Sequence, residues 1–275
     1  MKVEPADVPV FLLCGGLGTR MKEETEFKPK PMIEVGGAPI VSHIMGSYAA
    51  YGFRRFVLCL GFRADYVKNY FLNRRYLASD FLLMPDAREP EFLAAEDGPD
   101  WEIHLVDTGA KSMTGSRVAQ AFDRYYSEFE HFAVTYGDGL CDVDLGAEFA
   151  FHLEHEALGT ILGVNPVSRF GQIKAEGDVV EEFLEKPVLT DDWINGGYFF
   201  FRSGFRRYLD SGGSCILERD PLCKLSADGE LRVFRHSGFW TCMDTQRDKE
   251  DLEGKFARGE LSWLQQQQGS RKEKK

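Results

Sequence analysis

The chain has 275 residues, of which 43% are hydrophobic and 28% are charged, and its formal net charge is -11. This length and composition favour a folded protein with a large core. An acidic chain repels nucleic acid and anionic lipid on average, so we expect no nucleic-acid partner. No apolar stretch approaches the roughly 18 residues of a membrane helix, and the first residues do not resemble a signal peptide. We therefore expect no membrane partner and a cytoplasmic location.

The six cysteines lie in or beside apolar stretches, and none belongs to a CxxC pair. This pattern is typical of buried free thiols in a reducing compartment. We therefore expect structural packing roles for Cys14, Cys59, Cys141, Cys215, Cys223 and Cys242.

Strand and helix patterns alternate over the first 72 residues. Apolar runs at 8–14 and 54–60 each end at glycine, as buried strands often do, and 39–51 and 64–72 have helical patterns. This order predicts βαβ units, and hence a mainly parallel sheet with helices on both faces.

The alternation returns in the second half and then gives way to hairpin signals. We predict strands at 131–136 and 159–164, helices at 146–158 and 246–258, and antiparallel strands at 171–186 and 194–202. The expected fold class is therefore α/β, with a mixed, mostly parallel sheet flanked by helices and a small antiparallel lobe.

Residues 73–100 interrupt this order. They are polar and rich in charge, which is typical of a functional loop or of an insertion at a contact surface. We expect one domain over 1–264, with an insertion over about 73–117 that is a candidate subunit contact. Residues 265–275 are predicted to be a disordered tail.

A glycine-rich turn, Gly15-Gly16-Leu17-Gly18-Thr19-Arg20, follows the first predicted strand. Backbone N–H groups of such a turn can approach a phosphate closely. The string is not a P-loop, and the dinucleotide-binding pattern would need glycine where Met21 stands. A plain tight turn explains the glycines equally well.

The segment Lys28-Pro29-Lys30-Pro31 follows this turn. The prolines on either side of Lys30 fix two φ angles, so the lysine is held on a stiff segment that can aim its ammonium group at a phosphate. The alternative is a solvated basic loop, which is the interpretation we favour for Lys28.

Two aspartates are candidate magnesium ligands. Asp138 ends a predicted buried strand, where it could bind Mg²⁺ or cap a turn. Asp244 precedes the last predicted helix, where it could be an N-cap or a second ligand. His152 and His155 have no third metal ligand nearby in the sequence, and we expect them on a polar helix face.

Several strings together are similar to a known family. Leu13 to Arg20, Thr25, Lys28 to Met32 and Gly37 to Ile40 resemble the signature of sugar-nucleotide pyrophosphorylases. Matches at 106–109, 112–117, 135–139, 169–171, 185–187, 194–197 and 236–245 narrow the resemblance to the glucose-1-phosphate cytidylyltransferases. Cys14 stands where alanine is usual, and Ser116 where a second glycine is usual.

The resemblance implies a Rossmann-like nucleotidyltransferase fold whose antiparallel lobe binds sugar, and a set of residue roles. Nucleotide contacts are implied for Leu13, Gly15, Gly16, Gly18, Thr19, Arg20, Lys30, Thr114, Arg117 and Gly137. Sugar contacts are implied for Tyr136, Gly171, Glu185, Lys186, Asn195, Gly197 and Trp240. The implied catalytic residues are Arg20, Lys30, Asp138 and Lys186, and the implied Mg²⁺ ligands are Asp138 and Asp244.

The resemblance also implies a reaction and a homo-oligomer. CTP would give its cytidylyl group to the phosphate of α-D-glucose 1-phosphate, yielding CDP-glucose and pyrophosphate. Both substrates are anions and the attacking oxygen is already ionised, so positioned cations rather than a general base would provide catalysis. The alternatives are UTP, dTTP or another sugar 1-phosphate with the same chemistry, and a relative that only binds nucleotide sugars.

Overall fold

The structure is a computed structural model that describes residues 3–18, 21–25, 27–86, 88–94, 99–168 and 170–261. Its strands are β1 Val10–Cys14, β2 Glu34–Val35, β3 Ala38–Pro39, β4 Arg55–Leu60, β5 Asp80–Leu82, β6 Glu91–Ala94, β7 Glu102–Asp107, β8 His131–Tyr136, β9 Gly139–Cys141, β10 Gly159–Val164, β11 Gln172–Glu176, β12 Val179–Leu184, β13 Ile194–Arg202, β14 Leu231–His236 and β15 Trp240–Cys242.

Its α-helices are α1 Lys22–Thr25, α2 Ile40–Ala50, α3 Ala64–Ala78, α4 Thr114–Tyr125, α5 Leu145–Glu154, α6 Asp220–Ala227 and α7 Gln246–Ala257, with 3₁₀ turns at Pro5–Asp7, Lys30–Met32 and Ser203–Tyr208. None of these helices is both long and apolar enough to cross a bilayer.

Seven strands form the central sheet in the order β14-β10-β13-β8-β1-β4-β7. Six of them run in one direction, and β13 lies antiparallel between β8 and β10. The predicted mixed, mostly parallel sheet is therefore confirmed. Four further strand pairs, β2–β3, β5–β6, β9–β15 and β11–β12, form separate antiparallel ribbons.

Apolar side chains cover both faces of this sheet. Because side chains alternate along a strand, Val10 and Leu12 of β1 enter one core while Phe11 and Leu13 enter the other. Helices α2, α3, α5 and α7 contribute to the first core, and α4 and α6 contribute to the second. Since both faces are buried, substrates can reach the sheet only at the ends of its strands.

The carboxyl end of β1 is the point where the chain changes direction across the sheet. The chain passes from β1 to β4 and β7 on one side, and then to β8 on the other side. Such a switch point opens a crevice between the two connections, and ligands of α/β sheets bind there. The register pairs Leu13 of β1 with Tyr136 of β8, so the glycine turn and residues 137–138 emerge side by side.

The structure corrects the prediction of an irregular loop over residues 73–100. Helix α3 continues to Ala78, and the β5–β6 ribbon follows it. The rings of Tyr76, Phe81 and Phe92 pack against one another with centroids 5.5 to 5.9 Å apart, so three aromatics within a polar stretch hold local structure. The proposed role of this segment as a subunit contact stays a prediction.

The predicted antiparallel lobe is smaller than expected. Of the residues predicted to form it, those of the β11–β12 hairpin lie outside the central sheet, whereas residues 194–202 form β13 inside that sheet. Phe199, Phe200 and Phe201 are buried because β13 is covered on both faces. The continuous apolar run in this segment therefore indicated a strand in the middle of the sheet. The predicted tail, 265–275, lies outside the described residues.

His152 is buried, so the polar-face prediction is wrong for this residue. Its imidazole lies 3.3 Å from His131 and 2.9 Å from the hydroxyl of Thr160. Burial, followed by the charges that His131 and His155 would carry, lowers the pKa of His152 to about 3. A neutral imidazole thus connects α5 to the sheet.

The cysteine prediction holds only in part. Cys14, Cys59 and Cys141 are buried free thiols, Cys215 and Cys242 are half-buried, and Cys223 is exposed. Cys223 lies on α6, where it faces solvent, because the apolar face of that helix is made by Leu222 and Leu225.

Candidate functional site

Strand pairing brings the two predicted metal ligands together although they are far apart in sequence. In the β9–β15 ribbon Cys242 pairs with Gly139. The backbone N–H of Met243 donates to the carbonyl oxygen of Asp138 at 2.9 Å. Asp138 and Asp244 therefore lie next to each other at the end of this ribbon.

Lys30 completes what we call the carboxylate–lysine cluster, defined as Lys30, Asp138 and Asp244. The ammonium nitrogen of Lys30 lies 2.6 Å from a carboxylate oxygen of each aspartate. Burial alone would lower the pKa of Lys30, but the charge of Asp138 and the hydrogen bonds that Lys30 donates to both carboxylates outweigh it and raise that pKa above its usual 10.5. Lys30 is thus a fixed cation between two carboxylates.

Local geometry fixes the position of Lys30. Pro29 is extended, with φ -69° and ψ 149°, and Lys30 opens a 3₁₀ turn that ends at Met32. The segment is thus extended at Pro29, as expected, but Lys30 itself begins a turn. Lys28 instead pairs with Glu24 at 3.9 Å, outside the cluster.

The cap of the last helix is a different residue from the one considered from sequence. Thr245 caps α7 by accepting a hydrogen bond from the backbone of Asp248, whose carboxylate completes a capping box. The same carboxylate accepts from the backbone N–H of Asp244 at 2.9 Å. The side chain of Asp244 is thus not the N-cap, and it faces Lys30 instead.

A cysteine also borders the cluster. The sulfur of Cys242 and one carboxylate oxygen from each of Asp138 and Asp244 lie within 4.8 Å of one another. Burial, followed by the charges of the two aspartates, raises the pKa of Cys242 to about 12, so the metal-free thiol is protonated.

The cluster forms one wall of a cleft of about 360 Å³ at the switch point of the sheet. The cleft is lined by Leu13, Gly16, Gly18, Lys30, Pro31, Thr114, Gly137, Asp138 and Asp244. All but Pro31 are residues singled out from the sequence. A larger and more open hollow of about 610 Å³ lies beside 109–113 and 212–214, but Lys111 is the only charged residue that lines it.

Glycine is required at two positions in the wall of the cleft. A Cβ on Gly137 would lie 2.9 Å from Pro31 and 3.0 Å from the carbonyl oxygen of Leu13. Gly18 has a φ of +63°, and a Cβ there would lie 2.7 Å from the side chain of Thr25. Because glycine has no Cβ, these clashes are avoided, and the backbones of the two loops can closely approach each other and a ligand.

Arg117 disagrees with its predicted phosphate contact. Arg117 is 3% exposed, and its guanidinium donates to the carbonyl oxygens of Leu60, Gly109 and Gly15 and to the hydroxyl of Thr108, all at 2.8 to 2.9 Å. These bonds hold the glycine turn from beneath rather than reaching into the cleft. The geometry therefore supports a scaffold role for Arg117.

Thr114 lines the cleft but already has hydrogen-bond partners. Its hydroxyl donates to Glu218 at 2.9 Å and accepts from the backbone N–H of Leu217 at 2.9 Å. The predicted contacts of Thr19 and Arg20 lie outside the described residues.

Several predicted sugar-binding residues gather beside the cleft. The hydroxyl of Tyr136 donates to Glu218 at 2.5 Å, and the side-chain amide of Asn195 reaches Tyr136 at 3.4 Å. Gly197 has a φ of +81°, and a Cβ there would lie 2.4 Å from the ring of Tyr136. Burial and the adjacent Glu218 raise the pKa of Tyr136, so the phenol stays protonated and can donate.

The indole nitrogen of Trp240 donates to the carbonyl oxygen of Gly196 at 2.8 Å. This bond ties β15, which precedes Asp244, to the segment that carries Asn195 and Gly197. Trp240 therefore connects the segment before Asp244 to the segment of the predicted sugar contacts Asn195 and Gly197.

Comparisons with known proteins agree with this geometry. Residues 10–212 match the nucleotidyl transferase family. The glucose-1-phosphate cytidylyltransferase of Salmonella typhi is 40% identical over 254 residues, which cover 92% of this chain and 97% of that enzyme. The chain belongs to the nucleotidyl transferase family. The resemblance inferred from the sequence is thereby confirmed.

Two less similar proteins have names that give another nucleotide or another phosphorylated acceptor. The catalytic subunit beta of mannose-1-phosphate guanylyltransferase from Danio rerio is 27% identical over 249 residues, which cover 89% of this chain and 62% of that subunit. The solved inositol-1-phosphate CTP transferase of T. maritima covers 94% of this chain and 99% of its own at 16% identity, with a TM-score of 0.61. The latter likeness confirms the nucleotidyltransferase fold.

The β11–β12 hairpin carries the remaining predicted sugar contacts of this nucleotidyl transferase. Every residue of both strands is exposed. Gly171 and Glu185 flank the hairpin, and Lys186 pairs with Glu185 at 3.6 Å. Lys186 also has a φ of 47°, a left-handed conformation that is uncommon for a lysine.

Sequence reasoning missed two residues of the site. Glu218 joins Thr114 to Tyr136, and Cys242 borders the carboxylates. No motif indicates Glu218, because only the fold brings its loop beside β8. Cys242 stands two residues before Asp244 at the end of β15, and its closeness in sequence to a candidate ligand was an available signal.

Proposed function

We propose that this nucleotidyl transferase moves the cytidylyl group of CTP to the phosphate of α-D-glucose 1-phosphate, giving CDP-glucose and pyrophosphate. The observation that carries the proposal is the convergence of Asp138, Asp244 and Lys30 on a cleft whose other wall is the glycine turn. The choice of substrates is supported by 40% identity over nearly the whole length of an enzyme with that name.

The residues present fit a magnesium ion held by Asp138 and Asp244. One carboxylate oxygen from each already lies 2.6 Å from the ammonium nitrogen of Lys30, so both point at a common cation. Carboxylates are the protein ligands that Mg²⁺ prefers, and it completes its shell with phosphate and water. When bound, Mg²⁺ would neutralise charge on the transferring phosphates.

Lys30 and the glycine turn act on the nucleotide in this proposal. Lys30 gives up its hydrogen bond to one carboxylate and binds an oxygen of the α-phosphate instead. The backbone of Gly16 and Gly18 borders the triphosphate. The charge of the lysine offsets the repulsion between two anionic substrates. The phosphate oxygen of the sugar is the nucleophile and is already ionised, so no residue needs to remove a proton.

Tyr136, Asn195 and Glu218 supply hydrogen-bonding groups beside the cleft, which suits a polyhydroxylated sugar. Lys186, on the hairpin, is proposed to bind the phosphate of that sugar. The sugar phosphate would then lie between Lys186 and Lys30, with its attacking oxygen directed at the α-phosphorus.

Two alternatives are weaker. A guanylyl or other nucleotide transfer is disfavoured because a guanylyltransferase subunit shares only 27% identity and is covered over 62% of its length. A protein that only binds nucleotide sugar has no use for two carboxylates directed at one cation. The carboxylate–lysine cluster therefore favours catalysis.

A matrix of four nucleoside triphosphates against several sugar 1-phosphates, with Mg²⁺, tests the proposal through release of pyrophosphate. We expect the highest kcat/KM for CTP with glucose 1-phosphate, loss of the signal with a chelator, and recovery when Mg²⁺ is restored. A higher kcat/KM for another pair would replace the assigned substrates. Release with no pair would favour a binding-only protein.

We also propose a homo-oligomer and a cytoplasmic location. Leu77, Leu83 and Leu93, on and around the β5–β6 ribbon, are each more than half exposed, as is typical of a surface that a second subunit covers. The free cysteines suit a reducing compartment. Sedimentation equilibrium of the full chain tests the first proposal, since a monomer at all concentrations would contradict it.

A further inference from the structure

The thiol of Cys242 has no part in the proposed reaction, yet it stands at the metal side of the site. Its sulfur and one oxygen each of Asp138 and Asp244 lie within 4.8 Å of one another. Mg²⁺ is a hard cation that selects oxygen ligands, so it leaves a thiol unused. Cations such as Zn²⁺, Co²⁺ and Cd²⁺ bind thiolates well.

We propose that Cys242, Asp138 and Asp244 form a three-ligand site for a thiophilic divalent cation, which competes with Mg²⁺ for the two carboxylates. This inference rests on the proposed function of that carboxylate pair and adds Cys242 as the residue that determines which metals the site accepts. Binding forms a metal–sulfur bond, breaks the S–H bond and releases one proton to solvent.

The fold already places the three donors around one point. Cys242 pairs with Gly139 in the antiparallel β9–β15 ribbon, so Asp138, just before β9, and Asp244, just after β15, lie at the same end of the ribbon. Metal bonds of about 2.1 Å to oxygen and about 2.3 Å to sulfur join donor atoms up to roughly 4.4 Å apart. Small side-chain rotations are therefore enough to close the site.

Lys30 shows that these carboxylates accept a cation in common. Its nitrogen lies 2.6 Å from an oxygen of each aspartate. A single positive charge leaves the pair of carboxylates with a net negative charge, so a dication gains more from this position than the ammonium group does. Lys30 would be displaced toward the cleft when the cation binds.

A second group with a cysteine provides the matched control. Cys141, Asp142 and His236 also lie within 4.8 Å of one another. There, however, the carboxylate of Asp142 is already paired with His236 at 2.7 Å, and Cys141 is 2% exposed. We therefore assign no cation to this second group.

Titration of the metal-free, full-length protein with Co²⁺ tests the assignment, without nucleotide or turnover. A sulfur–cobalt bond gives a charge-transfer band in the near ultraviolet, and equilibrium dialysis measures bound Co²⁺ separately. We expect the band in the wild type, its loss in Cys242→Ser with Co²⁺ still bound, and its retention in Cys141→Ser. Circular dichroism checks that each variant is folded.

Affinity provides a second measurement. Loss of an outer-shell partner weakens metal binding by about tenfold or more. Loss of a direct ligand should weaken Cd²⁺ binding by at least as much. We therefore expect Cys242→Ser to weaken Cd²⁺ binding at least about tenfold, with Cys141→Ser unchanged.

The contrary outcomes separate this inference from the proposed function. Bound Co²⁺ without a band in the wild type, or a band that survives in Cys242→Ser, overturns the role of Cys242 and leaves the carboxylate pair in place. No Co²⁺ bound to the wild type overturns both the thiophilic site and the proposed carboxylate pair.

Discussion

The carboxylate–lysine cluster and the β11–β12 hairpin carry the two halves of the proposed site, and the fold holds them in different ways. The cluster lies where buried strands end, and the ammonium nitrogen of Lys30 lies 2.6 Å from a carboxylate oxygen of each aspartate. The hairpin is exposed along both strands. Within the described residues, the ion pair of Lys186 is with its neighbour Glu185, at 3.6 Å.

This difference suggests a division of labour. Groups that must face charge developing during the reaction need a fixed position before substrate binds, because reorganisation would consume the binding energy. Groups that capture a sugar phosphate can instead be mobile and close on it. Substitutions in the cluster should therefore lower turnover, while those in the hairpin should mainly affect substrate affinity.

The largest expected effect is that of Asp138→Asn. This change keeps the shape of the side chain but removes one of the two carboxylates that face Lys30. We expect kcat to fall at least about a hundredfold, or about 3 kcal/mol of transition-state stabilisation. Steady-state kinetics with CTP and glucose 1-phosphate measures this change.

Asp142→Asn is the matched control for that variant, since Asp142 is nearby in sequence but pairs with His236 away from the cleft. Its kcat should stay within about threefold of the wild type. Equal losses in both variants would contradict a specific role for Asp138.

Lys30→Ala should have the next largest effect. The change removes the ammonium group that lies between the two carboxylates, and with it the proposed contact to the α-phosphate. We expect kcat to fall by about a hundredfold while the thermal midpoint changes little, since the cluster lies at the rim of the core.

Lys28→Ala serves as the comparison, because Lys28 lies two residues away and pairs with Glu24 at 3.9 Å. We expect its turnover to change by less than about threefold. A large loss in Lys28→Ala and a small one in Lys30→Ala would reverse our assignment of the two lysines.

A smaller effect, on stability, should come from the core below the cluster. Glu148 of α5 is fully buried, and neither of its oxygens has a hydrogen-bond partner among the described residues. Burial raises the pKa of Glu148 from 4.5 to about 8. Between these values the folded protein binds more protons than the unfolded one, so stability falls as pH rises.

Glu148→Gln tests this prediction, because glutamine imitates the protonated acid at every pH. We expect the wild type to lose about 2 kcal/mol of unfolding free energy between about pH 5 and about pH 7, and the variant to lose much less. Chemical denaturation at several pH values measures both. Parallel pH curves for the two proteins would show that Glu148 is not the group responsible.

The comparison also shows what the sequence could reveal. The cluster was predictable because Asp138 follows an apolar strand and Lys30 stands between prolines, and both are local signals. From the sequence, Asp244 could be either the N-cap of the last helix or a metal ligand. The capping box of Thr245 and Asp248 excludes the first role, because Thr245 is the N-cap.

Other features depend on long-range packing that no local pattern reveals. Glu218 stands 82 positions after Tyr136 in the sequence, so the contact between their side chains arises from the fold alone. The phosphate contact of Arg117 was implied only by the family resemblance of residues 112–117. Here four acceptors from different segments surround it and compensate for its burial.

The smallest expected effect is that of Lys186→Ala in the hairpin. The side chain is 40% exposed, so water and salt screen its charge. We expect KM for glucose 1-phosphate to rise about tenfold with a smaller change in kcat, and the difference from wild type to shrink at high ionic strength. Lys174→Ala, on an exposed strand of the same hairpin, should change neither constant. If Lys186→Ala instead lowered kcat as much as Lys30→Ala, then the hairpin would also be part of the preorganised site, because an effect on turnover requires contact in the transition state.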